Sequence, residues 1–587
     1  MIAAGKVAGH PPRIPEWFPR WAAELSDLYF SGSTSLFVLY GNVHDLVPLS
    51  ADGSDYGSLS DFLAEQVFGR WDLVLYYDLA RGLRAFAGRD GTRLKDMVVR
   101  ANDKVGDLAA ARKDPSTAFA LLDRFVQNNI MAGEEKSVSA AILIDHASFL
   151  IPTGDPGHLS PAAGQQVVTL LNWAASPHIK RLNMAIIVMD ESAGALSERV
   201  TSNPYVSSVE VPMPDEADRE RFLRFAVQGR DFAAASDYTE PQLAHLTAGI
   251  SLVDMNVMVQ SAIESGHRLD SHRMRELKKE LIERQCRGLL EFIEPKWTTD
   301  VLVGHAPVKQ RLREDAQLLK LGDTETLPMG YLICGPVGTG KTFLAQCMAG
   351  EMGIPCVILK NFRSKYVGET EGNLERVLGV LRAMGPVLVV IDEADAALGN
   401  RDQEGDSGTS SRVFSLIAAQ MGDTRFRGKI LWMLLTSRPD LLPIHKKRQG
   451  RAEVHIPLFY PTQPDELRAM FAAMARKAGV ALAPDDIPEV QANGRLSGAD
   501  IEGIVTRAAR RSRVLGQPTL AKHALEQELA GFLPSLEGME KEMQEIAAML
   551  ECTDAEFLPE TFRKRVQEDG GRERLQQRFY ELRNHLR

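Results

Sequence analysis

Residues 334–342 read "CGPVGTGKT"; they follow the short apolar run "GYLI" and precede "FLAQCMAGEMG". The stretch fits the pattern G-x-x-x-x-G-K-[ST], with Gly335, Gly340, Lys341 and Thr342 at the specified places. Glycine permits a backbone whose N–H groups point inward around phosphates, and a following helix directs its positive N-terminal end at them. The sequence therefore predicts a phosphate-binding loop between a buried strand and a helix.

This loop predicts ATP and Mg²⁺ as cofactors. Lys341 is expected to reach the β- and γ-phosphates, and the hydroxyl of Thr342 is expected to bind the metal. A glycine-rich turn that binds nothing is the alternative, and the strand before and the helix after the loop count against it. The predicted phosphate contacts are Gly335, Pro336, Val337, Gly338, Thr339, Gly340, Lys341, Thr342 and Phe343.

A second element for metal binding and water activation lies about fifty residues further on. The segment "GPVLVVIDEADAAL" contains the continuous apolar run 387–391, which is typical of a fully buried parallel strand. Asp392 and Glu393 follow directly. We predict that Asp392 binds the Mg²⁺ and that Glu393 orients or deprotonates the attacking water. The alternative is a strand that merely ends in two surface acids.

Composition sets outer limits. The chain has 587 residues, 44% of them apolar and 25% charged, enough for three to four compact units of about 100–200 residues each. A net charge of −10 counts against a dedicated nucleic-acid binder. Five scattered cysteines without a CxxC pair favour a reducing compartment. Without a signal-peptide core or a run of about 20 apolar residues, we expect a cytoplasmic chain with no membrane span.

With these motifs in order, residues 298–535 resemble the AAA ATPases, in particular the FtsH, katanin and spastin kind. In "DVLVGHAPVKQRL", Val303 and Gly304 match the segment that lines the adenine pocket in that family. In "LWMLLTSRPDLL", Ser437 stands where the family has its first sensor, often an asparagine that contacts the γ-phosphate or the attacking water. A serine can still donate a hydrogen bond, although its reach is shorter.

The same resemblance implies residues that act between subunits. In "KKRQGR", Arg448 and Arg451 match the pair of arginine fingers that the family inserts into a neighbouring site. A guanidinium there stabilises charge on the γ-phosphate, an effect of about 10³–10⁵ in rate in known cases. The resemblance therefore implies a homo-oligomer, a hexameric ring. A solvated basic loop is the alternative reading.

Two further motifs extend the resemblance. In "LSGADIEGIVTRAARRS", Gly498 and Ala499 match the second-sensor helix of the lid and would approach the nucleotide, with Asp500 capping the helix. In "RSKYVGETEGNLERVL", Tyr366 and Val367 match the pore loop with which threading members grip a polypeptide. A tyrosine packed on its own subunit is the alternative.

The first half repeats the order of these elements without the phosphate-loop lysine. Gly41 follows the apolar run of "SLFVLYGNVHDL", and Asp145 and His146 follow that of "SAAILIDHASFL". The repeat has a period of about 290 residues. With no lysine and with a histidine in place of the second acid, this half is predicted to be a degenerate copy that hydrolyses no ATP.

The predicted fold class is thus α/β, with two P-loop AAA+ modules in tandem, each a parallel sheet flanked by helices and followed by a helical lid. The first copy is degenerate and the second active. The predicted domains are a degenerate α/β domain (1–215), its helical lid (216–290), a linker (291–300), the active ATPase domain (301–460), its lid (461–535) and a helical C-terminal extension (536–587).

The predicted function is an ATP-hydrolysing ring motor that remodels, unfolds or threads a protein substrate, or disassembles a protein complex. The first module would serve assembly or docking of an adaptor. The alternative is an ATP-dependent regulatory or assembly switch that acts on a partner complex without threading. A DNA-acting ring is disfavoured by the acidic balance and by the lack of a basic stripe interleaved with aromatics. No H-E-x-x-H stretch occurs, which disfavours a fused protease.

Overall fold

A computed structural model describes residues 14–586 apart from 109–112, 134–135, 155–156, 158, 266–267, 361–366, 399–408, 444–446, 448–449, 462, 490–495, 515–519, 521 and 533–537. The chain divides into two compact units. The first unit comprises Met1–Leu289, Phe362–Met384 and Ser407–Val413, and the second comprises Leu290–Asn361, Gly385–Asp406 and Phe414–Arg587.

The first unit contains a six-stranded sheet in the order β5-β4-β6-β7-β1-β8 and a small hairpin of β2 and β3. Every neighbouring pair in the large sheet is parallel except β4 and β5. The strands are β1 Leu36–Gly41, β2 Leu46–Pro48, β3 Tyr56–Ser58, β4 Leu73–Asp78, β5 Gly82–Ala85, β6 Ala140–Ile144, β7 Met184–Asp190 and β8 Val206–Val211.

Helices cover this sheet and then form a separate group. Strands β6 and β7 are buried along their whole length, as their unbroken apolar sequences require when helices pack on both faces. The helices are α1 Arg20–Phe30, α2 Leu59–Phe62, α3 Gly91–Lys104, α4 Pro115–Ala132, α5 Pro161–Ala175, α6 Pro177–Arg181, α7 Glu198–Thr201, α8 Glu216–Ala226, α9 Phe232–Ala235, α10 Glu240–Leu246, α11 Leu252–Ser265 and α12 Ser271–Gln285.

The second unit contains another six-stranded sheet, in the order β14-β10-β13-β12-β11-β9. All of its neighbouring pairs are parallel except β11 and β9. The strands are β9 Leu290–Ile293, β10 Gly330–Cys334, β11 Cys356–Leu359, β12 Val387–Ile391, β13 Ile430–Thr436 and β14 Val454–Pro457.

The two sheets have the same topology. If the parallel strands of each sheet are numbered in chain order, both run 5-1-4-3-2, and both add an antiparallel strand at the edge beside strand 2. The predicted α/β class and the predicted tandem arrangement of parallel-sheet modules are therefore confirmed. The predicted strands before the phosphate loop and before Asp392 are β10 and β12, and both are completely buried.

The remaining helices belong to the second unit, except α15 and the first residues of α17. They are α13 Ala306–Leu321, α14 Lys341–Met352, α15 Val367–Ala383, α16 Ala394–Leu398, α17 Thr409–Met421, α18 Pro464–Lys477, α19 Gly498–Val514, α20 Lys522–Ala530, α21 Gly538–Glu551, α22 Glu560–Gln567 and α23 Gly571–His585. Helices α18 to α20 share one apolar cluster, which forms the lid, and α21 to α23 share another.

Helix α15 groups entirely with the first unit, whereas α17 does so only at its first five residues, 409–413. There the Oγ of Ser192 donates a hydrogen bond to Glu375 (2.6 Å), and Arg376 pairs with Glu191. Residues 362–384, which fall within the ATPase domain predicted at 301–460, therefore make contacts with the first unit. The ion pair and hydrogen bond join residues far apart in the chain, and local sequence carries no signal for them.

The segment 291–300, which the sequence predicts to be a linker, begins within a strand. Its first residues belong to β9, which pairs antiparallel with β11 and brings Phe292 opposite Val357. The apolar side chains in "LEFI" favour a strand at this position, because pairing at the edge of the sheet buries Leu290. Among the described helices, none is both long enough and apolar enough to cross a membrane.

Candidate nucleotide site

A cavity of about 1210 Å³ lies in the second unit, at the carboxyl ends of its parallel strands. Open parallel sheets bind ligands at this edge. Most of the sequence-predicted site residues line it: Val303, Gly304, Val337, Gly338, Thr339, Gly340, Lys341, Thr342, Phe343, Asp392, Glu393, Ser437, Gly498 and Ala499.

The phosphate loop has a backbone that only glycine supplies at two positions. Gly335 has φ of 150°, and a Cβ on it would lie 2.2 Å from the carbonyl oxygen of Leu458. Gly340 has φ of 88° and immediately precedes α14, so the helix starts at Lys341. The loop thus turns directly from β10 into a helix whose free N–H groups face the cavity, which is the geometry of an anion site.

Lys341 is held inside its own loop. Its Nζ donates hydrogen bonds to the carbonyl oxygens of Gly335 and Pro336, both at 2.9 Å. Burial lowers the pKa of the Lys341 amine to about 8, although the carboxylate of Asp392 acts in the opposite direction. The amine is therefore placed beside the loop's inward face, where phosphate oxygens would offer it stronger partners.

The residues for a magnesium ion fit together. The Oγ1 of Thr342 donates to Oδ2 of Asp392 at 3.1 Å, although the two residues are 50 positions apart. Mg²⁺ prefers a few hard oxygen ligands together with phosphate oxygens, and this hydroxyl and carboxylate provide them. Glu393 follows with φ of 47°, a strained value for a non-glycine residue, and its N–H donates to Oδ1 of Asp392 at 2.9 Å.

A third acid, which the sequence analysis did not single out, supports the end of β13. The Oγ1 of Thr436 donates to Oδ1 of Asp395 at 2.6 Å and accepts a hydrogen bond from the N–H of Arg438 at 2.9 Å. Ser437 lies between these anchors and lines the cavity. The position of Asp395 two residues after Glu393, in the first turn of α16, is the signal that the sequence offers.

The lid closes against the phosphate loop. A Cβ on Gly338 would lie 2.8 Å from the Cβ of Ser497, so the two segments are in close contact. The predicted cap at Asp500 is half of a reciprocal pair: Ser497 Oγ accepts from the N–H of Asp500 at 3.0 Å, and the Asp500 carboxylate accepts from the N–H of Ser497 at 2.9 Å. The N-terminus of α19 is thereby fixed beside Gly498.

The opposite end of the cavity is formed by residues 301–307. His305 follows the predicted Val303 and Gly304 and has φ of 51°. Protein atoms enclose its side chain closely, and this burial lowers the pKa of the imidazole to about 4. A neutral ring therefore lines this end near pH 7. The sequence analysis missed His305.

The C-terminal extension also lines the cavity, which sequence reasoning did not foresee. Residues 556–561, 563 and 564 are among those that line it. In addition, the Oε1 of the buried Gln544 accepts a hydrogen bond from the N–H of Val337 at 3.1 Å. The hydroxyl of Tyr460 donates a second hydrogen bond to Val337, at its carbonyl oxygen, over 2.8 Å. The extension therefore restrains the phosphate loop directly.

A buried charge cluster fastens this extension to the sheet. Glu551 accepts from Lys447 at 2.7 Å and lies 3.2 Å from Nδ1 of His455, whose side chain is 7% exposed. The other ring nitrogen of His455 lies 3.0 Å from the carbonyl oxygens of Lys447 and Ala452. Because acceptors face both nitrogens, only the doubly protonated ring satisfies all of them.

The pKa shifts of this cluster have the same origin. Burial lowers the pKa of His455, but the hydrogen bonds and charge of Glu551 outweigh it and leave the pKa raised above 6.5. Burial raises the pKa of Glu551, but the hydrogen bonds from His455 and Lys447 outweigh it and leave the pKa below 4.5.

Six of the sequence-predicted residues are not among the residues that line the cavity in the described part of the chain: Gly335, Pro336, Tyr366, Val367, Arg448 and Arg451. Tyr366 and Arg448 lie outside the described residues. Val367 begins α15, and its side chain is likewise not described. Arg451 is half-buried and is not among the residues that line the cavity; a Cβ on Gly422 would lie 3.4 Å from its Nε.

The first unit has a related but altered edge. A Cβ on Gly41 would lie 2.6 Å from the Val211 carbonyl, as one on Gly335 would meet Leu458, and His146 has φ of 51°, close to that of Glu393. After Gly41, however, the chain continues into the hairpin strand β2, whereas the phosphate loop of the second unit continues into helix α14.

The N-terminus of α11, where free N–H groups could bind an anion, is bound instead by a carboxylate of the same chain. Asp45, which lies in the loop after β1, accepts hydrogen bonds from the N–H groups of Leu252 and Val253, both at 2.9 Å. Asn42 donates to the same carboxylate at 2.7 Å. This loop is therefore tied to a helix terminus by its own side chain.

Comparisons with known proteins agree with this division. Residues 331–460 match the family described as ATPases associated with various cellular activities (AAA). Residues 11–212 match the N-terminal Rossmann-like domain of AAA+ chaperones, and residues 217–287 match the second helical domain of those chaperones. Together these matches cover the first sheet, the helices that follow it, and the parallel strands of the second sheet.

Similar individual proteins include protein SAV from Sulfolobus acidocaldarius, 26% identical over 415 residues, or 64% of this chain and 51% of that protein. A cell division cycle protein 48 homologue from Archaeoglobus fulgidus is 28% identical over 332 residues, 51% of this chain and 44% of its own length. An ATP-dependent zinc metalloprotease FtsH from Acidimicrobium ferrooxidans is 32% identical over 228 residues, 37% and 34% of the two chains. The chain thus spans about half or less of these relatives.

Proposed function

Because the chain contains an AAA-family ATPase module, preceded by domains of the AAA+ chaperone type, we propose that it hydrolyses ATP in the cavity of the second unit. One observation carries the proposal: the phosphate loop, the Thr342–Asp392 pair and Glu393 all line a single cavity. The relatives named above support it, since two of them are named for ATP-dependent or cell-division-cycle proteins.

Each residue has a defined task in this proposal. The backbone N–H groups at the start of α14 and the amine of Lys341 bind the phosphates, and Thr342 and Asp392 hold the metal. A bound Mg²⁺ supplies charge neutralisation at the β- and γ-phosphate oxygens. Glu393 orients or deprotonates the water, and Ser437 donates to the γ-phosphate or to that water. Val303, Gly304, Gly498 and Ala499 enclose the base and ribose.

We assign no hydrolysis to the first unit. Its loop after β1 lacks a lysine and enters a strand, and Asp45 already uses the helix N-terminus at Leu252. A phosphate group would have to displace that carboxylate. Assembly of the oligomer or docking of an adaptor is the role proposed for this unit.

The proposed oligomer is a hexameric ring that acts on a protein substrate in the cytoplasm. Arg451 lies away from the cavity of its own chain, as an arginine that completes a neighbouring site would, and Arg448 is proposed to act with it. Tyr366 and Val367 are proposed to grip the polypeptide. The names of the Cdc48 and FtsH relatives agree with such a motor.

The test separates hydrolysis from threading. Glu393→Gln should keep ATP binding, stabilise rings visible by electron microscopy and lower turnover by orders of magnitude. Tyr366→Ala should keep turnover but lose the unfolding of a tagged fluorescent protein. If unfolding survives Tyr366→Ala, the pore-loop assignment is wrong. If the wild type has turnover but unfolds nothing and instead releases a partner stoichiometrically, the protein is a regulatory switch.

A further inference from the structure

Three side chains with metal-binding atoms come together at the carboxyl end of the first sheet. His44 lies in the loop after β1, and Asp145 and His146 follow β6. One ligand atom from each residue lies within 4.8 Å of the other two. The imidazole rings of His44 and His146 are stacked, with centroids 4.7 Å apart and planes inclined by 26°.

The carboxylate of this group is held in place by its neighbours. The hydroxyl of Tyr76, on the adjacent strand β4, donates to Oδ2 of Asp145. The other oxygen, Oδ1, accepts the N–H of His146 at 2.8 Å. A hydrogen-bonded carboxylate is oriented before a metal arrives, and such outer contacts typically raise metal affinity. The left-handed backbone of His146 turns its side chain back toward the same point.

We propose that His44, Asp145 and His146 form a binding site for a divalent transition metal of the Zn²⁺, Co²⁺ or Ni²⁺ class. Two imidazoles and one carboxylate suit these ions, whereas Mg²⁺ prefers oxygen ligands alone. With metal–ligand distances near 2.0–2.1 Å, tetrahedral ligand atoms lie about 3.4 Å apart. Both histidine side chains are exposed, so rotation about their side-chain bonds can bring their nitrogens to that spacing.

The matching edge of the second sheet carries a different set of ligand atoms. At the matching edge, Thr342 and Asp392 present two oxygens at 3.1 Å, a hard pair beside a phosphate loop. In the first unit the acid at the end of the third parallel strand is kept as Asp145, and imidazoles replace the oxygen donors around it. The inferred site therefore lies at the sheet edge that matches the proposed magnesium position, with softer ligands and no phosphate loop.

The surrounding charges allow a dication. Asp190 and Arg376 both act electrostatically on His44, with opposite signs. The carboxylate of Asp145 adds a second negative charge, and the guanidinium of Arg376 is already paired with Glu191, so the groups named here are negative in sum before a metal binds. Three protein ligands leave a fourth position for water or for a donor group of another molecule. A bound metal would also fasten the loop after β1 to the end of β6.

The experiment uses the full chain, freed of metal with a chelator and kept in excess Mg²⁺ so that the oxygen site of the second unit is occupied. Co²⁺ is titrated and its visible absorption recorded, and Zn²⁺ affinity is measured against a chromophoric chelator. The wild type should bind one ion through nitrogen and oxygen ligands. His44→Ala and His146→Ala should each weaken binding at least about tenfold, and Tyr76→Phe by about tenfold.

The exposed His178 of the same unit provides the control, since His178→Ala should bind as the wild type does. Zn²⁺ should raise the melting temperature of the wild type but not that of the His44→Ala/His146→Ala double variant. Equal affinity or equal thermal shift in wild type and double variant would overturn the proposal. So would a sulfur-to-cobalt charge-transfer band, because it would assign the ion to a cysteine.

Discussion

The backbone N–H of Val337, in the phosphate loop, donates to the side chain of Gln544, in the C-terminal extension, at 3.1 Å. The two residues are 207 positions apart. Every residue except proline would supply this N–H at position 337, so the contact depends on the side chain of Gln544 and not on that of the valine. The extension therefore takes part in shaping the nucleotide site, and any movement of α21 changes the restraint on the loop.

Replacing Gln544 by leucine should loosen the phosphate loop. The N–H of Val337 would lose its acceptor, and because Val337 is exposed, water replaces part of the bond, so the cost is about 0.5–1.5 kcal/mol. Hydrogen exchange of residues 335–342 should become faster in the nucleotide-free protein. Gln577→Leu, at an exposed position of α23, is the matched control. Unchanged exchange in the loop of Gln544→Leu would show that this contact restrains nothing.

ATP affinity should fall as the pH rises above about 8. Burial lowers the pKa of the Lys341 amine to about 8 in the absence of nucleotide, and bound phosphates favour its charged form. Below that pH the amine is charged in both states. Above it, binding must take up a proton, and affinity drops by up to about tenfold per pH unit.

Calorimetry at pH 7 and pH 9, in buffers with different heats of ionisation, measures this proton uptake. Lys341→Arg should bind ATP more weakly but without a step near pH 8, because the guanidinium stays charged. Equal proton uptake at both pH values in the wild type would contradict the prediction.

The docking of the C-terminal extension should be most stable between pH 4.5 and 6.5. The pKa of His455 is raised in the folded protein, so its contribution is complete below 6.5 and is lost as the pH rises through the raised value. The pKa of Glu551 is lowered, so its contribution is complete above 4.5 and is lost as the pH falls through the lowered value.

Limited proteolysis of the extension as a function of pH checks this window. His455→Ala should remove the dependence above pH 6.5 and destabilise the extension by about 3 kcal/mol, since it leaves Glu551 with Lys447 alone. His523→Ala, at an exposed position of the lid, should behave as the wild type. A proteolysis rate that does not change from pH 6.5 to 9 would argue against a protonated His455.

The sequence predicted those parts of the site that depend on local pattern. The phosphate loop, β12 and the positions of Asp392 and Glu393 follow from glycine spacing and unbroken apolar runs, and the identical order of the two sheets follows from the repeat. His305, Asp395 and Gln544 were missed because their roles depend on contacts between distant segments. The same reason explains α15: Ser192 and Glu375 are 183 positions apart, and no periodicity within α15 encodes their hydrogen bond.

Thr436→Val should slow hydrolysis with little effect on ATP affinity. Valine keeps the shape of the side chain but removes the hydrogen bonds to Asp395 and from the N–H of Arg438, which fix the backbone on both sides of Ser437. A small displacement of a group that contacts the γ-phosphate or water lowers kcat by about tenfold to a hundredfold, because alignment matters more in the transition state than in binding. Steady-state kinetics should therefore show a lower kcat with a nearly constant KM. Thr424→Val, at an exposed position before β13, is the control.

The opposite result would be a raised KM with an unchanged kcat for Thr436→Val. In that case the hydrogen bond between Thr436 and Asp395 would affect the binding of ATP in the ground state, and the proposed catalytic role of Ser437 would not depend on this bond.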